Sequence, residues 1–138
     1  MASNVYIEYL RNYKKNEWST VINGTVIDLR AALTNSIMLF KNAVAIVPTG
    51  IKLSVPQGYE MRICPAPGFS TSTGVLLVNA SDAILDGVTK EVTVSLLTII
   101  NNGVPITPGQ KIAQLKLSKV PAVPFLECRN VEKELDVE

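Results

Sequence analysis

From Val44 onward the chain runs in short β-branched stretches broken by Gly, Pro and Asn, the pattern of a sandwich or barrel and not of alternating strands and helices. Ala43–Val47 stops at Pro48-Thr49-Gly50, Ile51–Val55 at Pro56-Gln57-Gly58, and Tyr59–Cys64 at Pro65-Ala66-Pro67-Gly68. Each stop has turn chemistry, because proline presets φ and glycine tolerates the left-handed region. Val75–Val78 reads as a short buried strand. Glu91–Ile100 alternates and then becomes continuously apolar, which predicts a strand crossing the core. Asn101-Asn102-Gly103 and Pro108-Gly109 bracket a further strand. In Lys111–Leu117, strict alternation puts Ile112, Gln114 and Lys116 on one face and Lys111, Ala113, Leu115 and Leu117 on the other.

The ends depart from this body. Tyr6, Tyr9, Leu10 and Tyr13 recur at i, i+3, i+4 and i+7, so the spacing predicts a short amphipathic helix over Val5–Tyr13 with an aromatic stripe. Arg11, Lys14 and Lys15 near Trp18 are interleaved with Glu8 and Glu17, which fits a solvated charged face and not a nucleic-acid surface. At the other end, Pro121 and Pro124 lead into a tail of alternating charge over Glu132, Lys133, Glu134, Asp136 and Glu138. Holding such ends in place needs contacts that offset roughly 1–2 kcal/mol of backbone entropy per residue. The division expected is a docking arm over 1–20, a β domain over 21–120 and a second arm with an acidic tail over 121–138, both arms resting on neighbouring subunits.

Composition narrows the partners. A chain of 138 residues is expected to form one domain around one core. With 47% hydrophobic and 18% charged residues and a net charge of +1, it carries no electrostatic footprint for nucleic acid. Histidine is absent, which removes imidazole bases, Ser-His-Asp triads and histidine metal sites, so catalysis would rest on carboxylates. Cys64 and Cys128 form no CxxC or zinc set and read as reduced, buried thiols. The start lacks a signal-peptide pattern and no apolar run approaches a membrane span of about 20 residues. The expected location is therefore intracellular or in a virion, neither secreted nor in a membrane. The acceptor sequences Asn23-Gly24-Thr25 and Asn79-Ala80-Ser81 read as chance matches.

Ile27-Asp28-Leu29-Arg30-Ala31-Ala32 resembles the first motif of the deoxyuridine triphosphatase (dUTPase) family. In order, Val47-Pro48-Thr49-Gly50-Ile51 and Val55-Pro56-Gln57-Gly58-Tyr59 are similar to its paired turns, Gly74 through Asn79-Ala80 to the strand entering its third motif, and Pro108-Gly109-Gln110-Lys111-Ile112-Ala113-Gln114-Leu115 to its fourth. The resemblance covers about residues 26–117. It implies an all-β barrel or jelly roll of the β-clip type, assembled as a homotrimer with sites at subunit boundaries. There an aspartate-activated water attacks the α-phosphate of dUTP while magnesium clamps the triphosphate. Burial around the threefold axis is expected of Leu96–Ile100 and Ile112–Leu117.

Several chemical residues of that family are replaced. Its second motif, Pro-Arg-Ser-Gly, holds phosphate; here Pro65-Ala66-Pro67-Gly68 keeps the turn without the donors. Alignment without gaps puts Leu85 where the catalytic aspartate belongs and Val88 where a tyrosine excludes ribose. Asp86 comes one residue late, a slip that a bulge would repair. The glycine-rich C-terminal arm has no counterpart, since no glycine follows Gly109. Asp28 and Gln114 are kept, and their plainer role is turn capping and barrel hydrogen bonding. These losses favour a non-catalytic homotrimer, a structural or accessory subunit of a larger assembly such as a virus particle, with no catalytic residue, metal or other cofactor. The alternative is a divergent dUTPase with Asp86 as base, Asp28 orienting magnesium, and Gly68, Asn79 and Gln114 binding substrate. A second alternative is a regulatory module that binds a nucleotide without turnover.

Overall fold

A computed structural model describes residues 4–10, 19–85 and 87–135, in which the turns named above separate thirteen strands. These are β1 (Tyr6–Tyr9), β2 (Thr20–Asn23), β3 (Val26–Arg30), β4 (Ile37–Leu39), β5 (Ala45–Pro48), β6 (Ile51–Val55), β7 (Tyr59–Pro65), β8 (Val75–Leu77), β9 (Ala83–Ile84), β10 (Gly87–Val88), β11 (Thr93–Thr98), β12 (Val104–Ile106) and β13 (Lys111–Lys119). Two short helices, α1 (Phe69–Thr73) and α2 (Val131–Leu135), complete the described chain. The fold is all-β, as the pattern predicts.

The largest sheet runs β2-β3-β13-β7-β9, two three-stranded sheets run β1-β6-β10 and β5-β11-β8, and β12 pairs with β4. Every strand pair is antiparallel. The alternation seen in the sequence sets which face turns inward. Ile51, Leu53 and Val55 of β6 and Val94 and Leu96 of β11 meet Leu29, Met61, Ile63, Ile106, Ile112 and Leu115 in one core. Burying each such side chain contributes about 1.5–3 kcal/mol, so the sheets are held together mainly by this shared interior.

Five expectations change. Tyr6–Tyr9 forms a strand and not a helix: Tyr6 pairs with Ser54 and Tyr9 with Ile51 along β6. A single helical turn or two gains little by itself, whereas the open edge of β6 offers a ladder of backbone partners. Tyr13, Trp18 and the nearby charges lie outside the described residues. Glu91–Ile100 does not continue as a buried strand: β11 ends at Thr98, and Ile99 and Ile100 are exposed. In β13 strict alternation fails because a bulge falls between Lys111 and Ala113, leaving Ile112 through Leu115 all buried. That burial lies inside the subunit, so Ile112–Leu115 are not available to a threefold axis. Cysteine burial also differs, with Cys64 half-buried and Cys128 exposed. After Val120, residues 121–135 are exposed throughout, Phe125 and Leu126 included. Within that stretch Asn130 Oδ1 accepts the Glu132 and Lys133 amides at 3.0 and 3.4 Å and caps α2. Among the described residues no helix is long and apolar enough to cross a membrane.

Candidate functional site

Antiparallel pairing places Asp28 of β3 directly opposite Gln114 of β13, and Gln114 opposite Cys64 of β7. Gln114 Nε2 donates to Asp28 Oδ1 at 2.9 Å, with Asp28 5% and Gln114 6% exposed. The other oxygen, Oδ2, lies 3.6 Å from Lys111 Nζ. The bulge in β13 brings Lys111 to this face, since without the extra residue it would stand on the opposite side. A buried carboxylate survives only when paired and hydrogen-bonded, and both conditions are met. Sequence reasoning did not single out Lys111, although it sits between Gln110 and Ile112 in the fourth motif.

The first and fourth motifs are knitted by backbone. Ala31 N donates to Gln110 O and Gly109 N to Ala31 O, both at 2.8 Å, while one Arg30 guanidinium nitrogen donates to Gly109 O at 2.9 Å. Ser19 Oγ accepts the Arg30 amide at 3.0 Å and donates to Thr49 O at 3.2 Å, tying the start of the domain to the same corner. The second motif begins as β7 ends. Ala66 is buried, and Gly68 takes φ 74°, a left-handed conformation suited to glycine, before α1 starts. Gly68 itself is exposed.

Asn79 stands on the other flank of β7. Its Oδ1 accepts the Ser95 amide at 3.0 Å and its Nδ2 donates to Thr93 O at 3.1 Å, so the side chain pins the turn after β8 onto β11. From this turn β9 pairs with β7, and β10 pairs with β6. Beneath lies a cavity of about 240 Å³ lined by Ile63, Asn79, Asp82, Ile84, Lys90 and Thr93 among others. Lys90 is a cation that sequence reasoning passed over. Leu85 is 59% exposed and Val88 76% exposed, and Val88 lies beside Tyr6 and Ser54 instead of in that cavity. Asp86, the candidate base, lies outside the described residues. The structure thus joins Asp28 to Gln114 and sets Asn79 in a separate cavity whose lining includes neither of them.

Among the described residues no three His, Cys, Asp or Glu side chains gather as a metal cage. Magnesium is ordinarily held by one or two carboxylates together with substrate phosphates and needs no such cage; Asp28 is a carboxylate of that kind in the first motif, with its oxygens engaged here by Gln114 and Lys111.

The model of the dUTPase family matches residues 26–137, and the chain belongs to that family. The match continues past Leu117 to residue 137. Deoxyuridine 5'-triphosphate nucleotidohydrolase of Finegoldia magna is 32% identical over 114 residues, covering 83% of this chain and 80% of the relative. The enzyme of the same name from Neorickettsia sennetsu is 30% identical over 105 residues, covering 76% and 70%. Among solved structures, a dUTPase mutant from phage phi11 of Staphylococcus aureus, described with a structural Mg(II) ion, has a TM-score of 0.73 at 14% identity and covers 94% of this chain and 99% of its own. The dUTPase of Staphylococcus bacteriophage 80alpha with dUPNHPP gives 0.74 at 15%, covering 94% and 90%. The family uses Mg²⁺, and a homotrimer is the assembly expected of it.

These findings overturn the expectation of a non-catalytic structural or virion subunit, because relatives near 30% identity over most of both chains are named as nucleotide hydrolases. The physical reason lies in how a triphosphate is gripped. Each charge-assisted bond contributes roughly 1.5–3 kcal/mol and a triphosphate takes several, so two donors missing from the second motif are not by themselves evidence against binding.

Proposed function

We propose that this chain is a divergent dUTPase that hydrolyses dUTP to dUMP and pyrophosphate with Mg²⁺. The observation that carries the reading is the likeness to curated nucleotidohydrolases over four-fifths of the Finegoldia magna relative. Asp86 is the carboxylate nearest the family's catalytic position and takes the role of general base. It accepts a proton from a water whose oxygen attacks the α-phosphorus, while the bond to the bridging oxygen breaks and pyrophosphate leaves. Asp28, held by Gln114 and Lys111, is the carboxylate that would orient magnesium when the metal binds. The metal, when bound, neutralises charge on the phosphate oxygens. Gly68 allows phosphate to approach the backbone, and Asn79 holds the wall of the cavity in which the nucleoside rests.

The separation of Asp28 and Gln114 from the Asn79 cavity supports a site completed across a subunit boundary. In the homotrimer, one subunit supplies the Asp28 corner and its neighbour the cavity, and the exposed stretch over 121–135 closes on an adjoining subunit. The outward side of the β5-β11-β8 sheet, with Val44, Ile46, Leu76 and Val78 exposed, is the surface assigned to subunit contact. Steady release of pyrophosphate from dUTP with Mg²⁺, abolished by EDTA or by Asp86→Asn, is the expected result. A flat time course at high protein concentration removes the reading.

A further inference from the structure

The turn that leads into the Asp86 segment is held by a side chain that no motif contains. Ser81 adopts φ 66°, a left-handed conformation that costs a residue with a Cβ of order 1–2 kcal/mol. Both of its backbone polar groups are tied to β7: the Ser81 amide donates to Ile63 O at 2.7 Å, and Ser81 O accepts from an Arg62 terminal nitrogen at 2.9 Å. The rest of that guanidinium is equally engaged. Arg62 Nε donates to Glu60 Oε1 at 2.8 Å and its second terminal nitrogen to Glu60 Oε2 at 3.3 Å. Glu60, only 14% exposed in its side chain, fixes the planar fork so that the third direction points at Ser81. A next link follows at once, as Ile63 N donates to Asp82 O at 3.1 Å and Arg62 pairs with Ala83.

From this geometry we infer that Arg62 is a positioning residue for the reaction. It acts by holding Ser81 in the left-handed turn and so setting where β9 (Ala83–Ile84), which precedes the proposed base in sequence, lies along β7. The inference rests on the proposed dUTP hydrolysis. Asn79 fastens the same turn to β11 from the other side, so the turn is clamped between β7 and β11 and the cavity rim has two supports. Removal of one support leaves the cavity walls in place and loosens the approach of the base, which affects turnover more than binding.

Steady-state kinetics on the intact protein test this. Arg62→Ala is expected to lower kcat about tenfold with KM within about twofold, because a misplacement near 1 Å costs up to about a hundredfold in rate. Arg62→Lys, which offers a point charge in place of a fork, is expected to recover only part of the loss. Ser81→Gly in the Arg62→Ala background is expected to restore most of it, since glycine adopts the left-handed turn without strain. An unchanged kcat in Arg62→Ala, or no recovery with Ser81→Gly, overturns the inference. Hydrogen exchange supplies a readout that does not need activity. The Ser81 and Ile63 amides are expected to lose protection in Arg62→Ala, and equal protection in both proteins refutes the clamp. If the unmodified chain turns over no dUTP, the proposed function fails and the positioning role with it, and exchange then decides the clamp alone.

Discussion

Replacing Gln114 with leucine tests whether the buried corner is held by its hydrogen bond or by its charge. Leucine keeps similar bulk, so little cavity forms, but Asp28 Oδ1 loses the donor 2.9 Å away in a place where water has little access. A hydrogen bond to a charged acceptor contributes about 1.5–3 kcal/mol. Taking about 2 kcal/mol, and about 3–4 °C per kcal/mol for a domain of this size, the melting temperature should fall by about 6–8 °C. Asp28→Asn makes the contrast. It keeps an acceptor for Gln114 and loses only the ion pair with Lys111, whose side chain is 42% exposed, so the cost should stay below about 1 kcal/mol. Asp28→Leu with Gln114→Leu removes both partners and should be less destabilising than the sum of the single changes by about 1 kcal/mol or more. Thermal and urea unfolding followed by circular dichroism, at one fixed protein concentration because a trimer's melting depends on it, gives all four values. Additivity within about 0.5 kcal/mol, or a larger loss for Asp28→Asn than for Gln114→Leu, would refute the reasoning.

Ile46→Asp, on a face that the subunit leaves open, should give a folded monomer by light scattering and circular dichroism; a trimer indistinguishable from the parent rejects that face as the contact. Gly103→Ala should destabilise more than Gly74→Ala in urea titration. Both glycines have positive φ, but the added methyl at 103 meets the fixed backbone oxygen of Leu39 at 2.7 Å, whereas at 74 it meets the movable side chain of Ile100 at 2.6 Å. Pro67→Ser returns a hydroxyl and an amide to an exposed position of the second motif, and should lower KM for dUTP by about threefold to tenfold; an unchanged KM means that this loop does not reach phosphate.

Much of the strand plan was legible because turn residues act locally. Pro56-Gln57-Gly58 ends β6 and starts β7, and Gly58 takes φ 85° as such a turn requires. The alternation in Ile51–Val55 is likewise a local property, and it matches the observed burial of Ile51, Leu53 and Val55. The order of motifs carried the family, because spacing along the chain survives when single residues change.

What the sequence by itself determined is therefore the class of structure, the positions of its turns and its kinship. Tertiary structure alone decided that Tyr6–Tyr9 extends along β6, since a nine-residue periodicity says nothing of a vacant sheet edge elsewhere. It decided that a bulge carries Lys111 round to Asp28, and that Asp28 meets Gln114 across 86 positions of chain. It also set Arg62 against Ser81, a contact between a strand and a turn that no motif links. The physical reason is common to all of these: propensity and periodicity act over a few residues, whereas pairing partners and burial are chosen by free energy summed over segments distant in sequence.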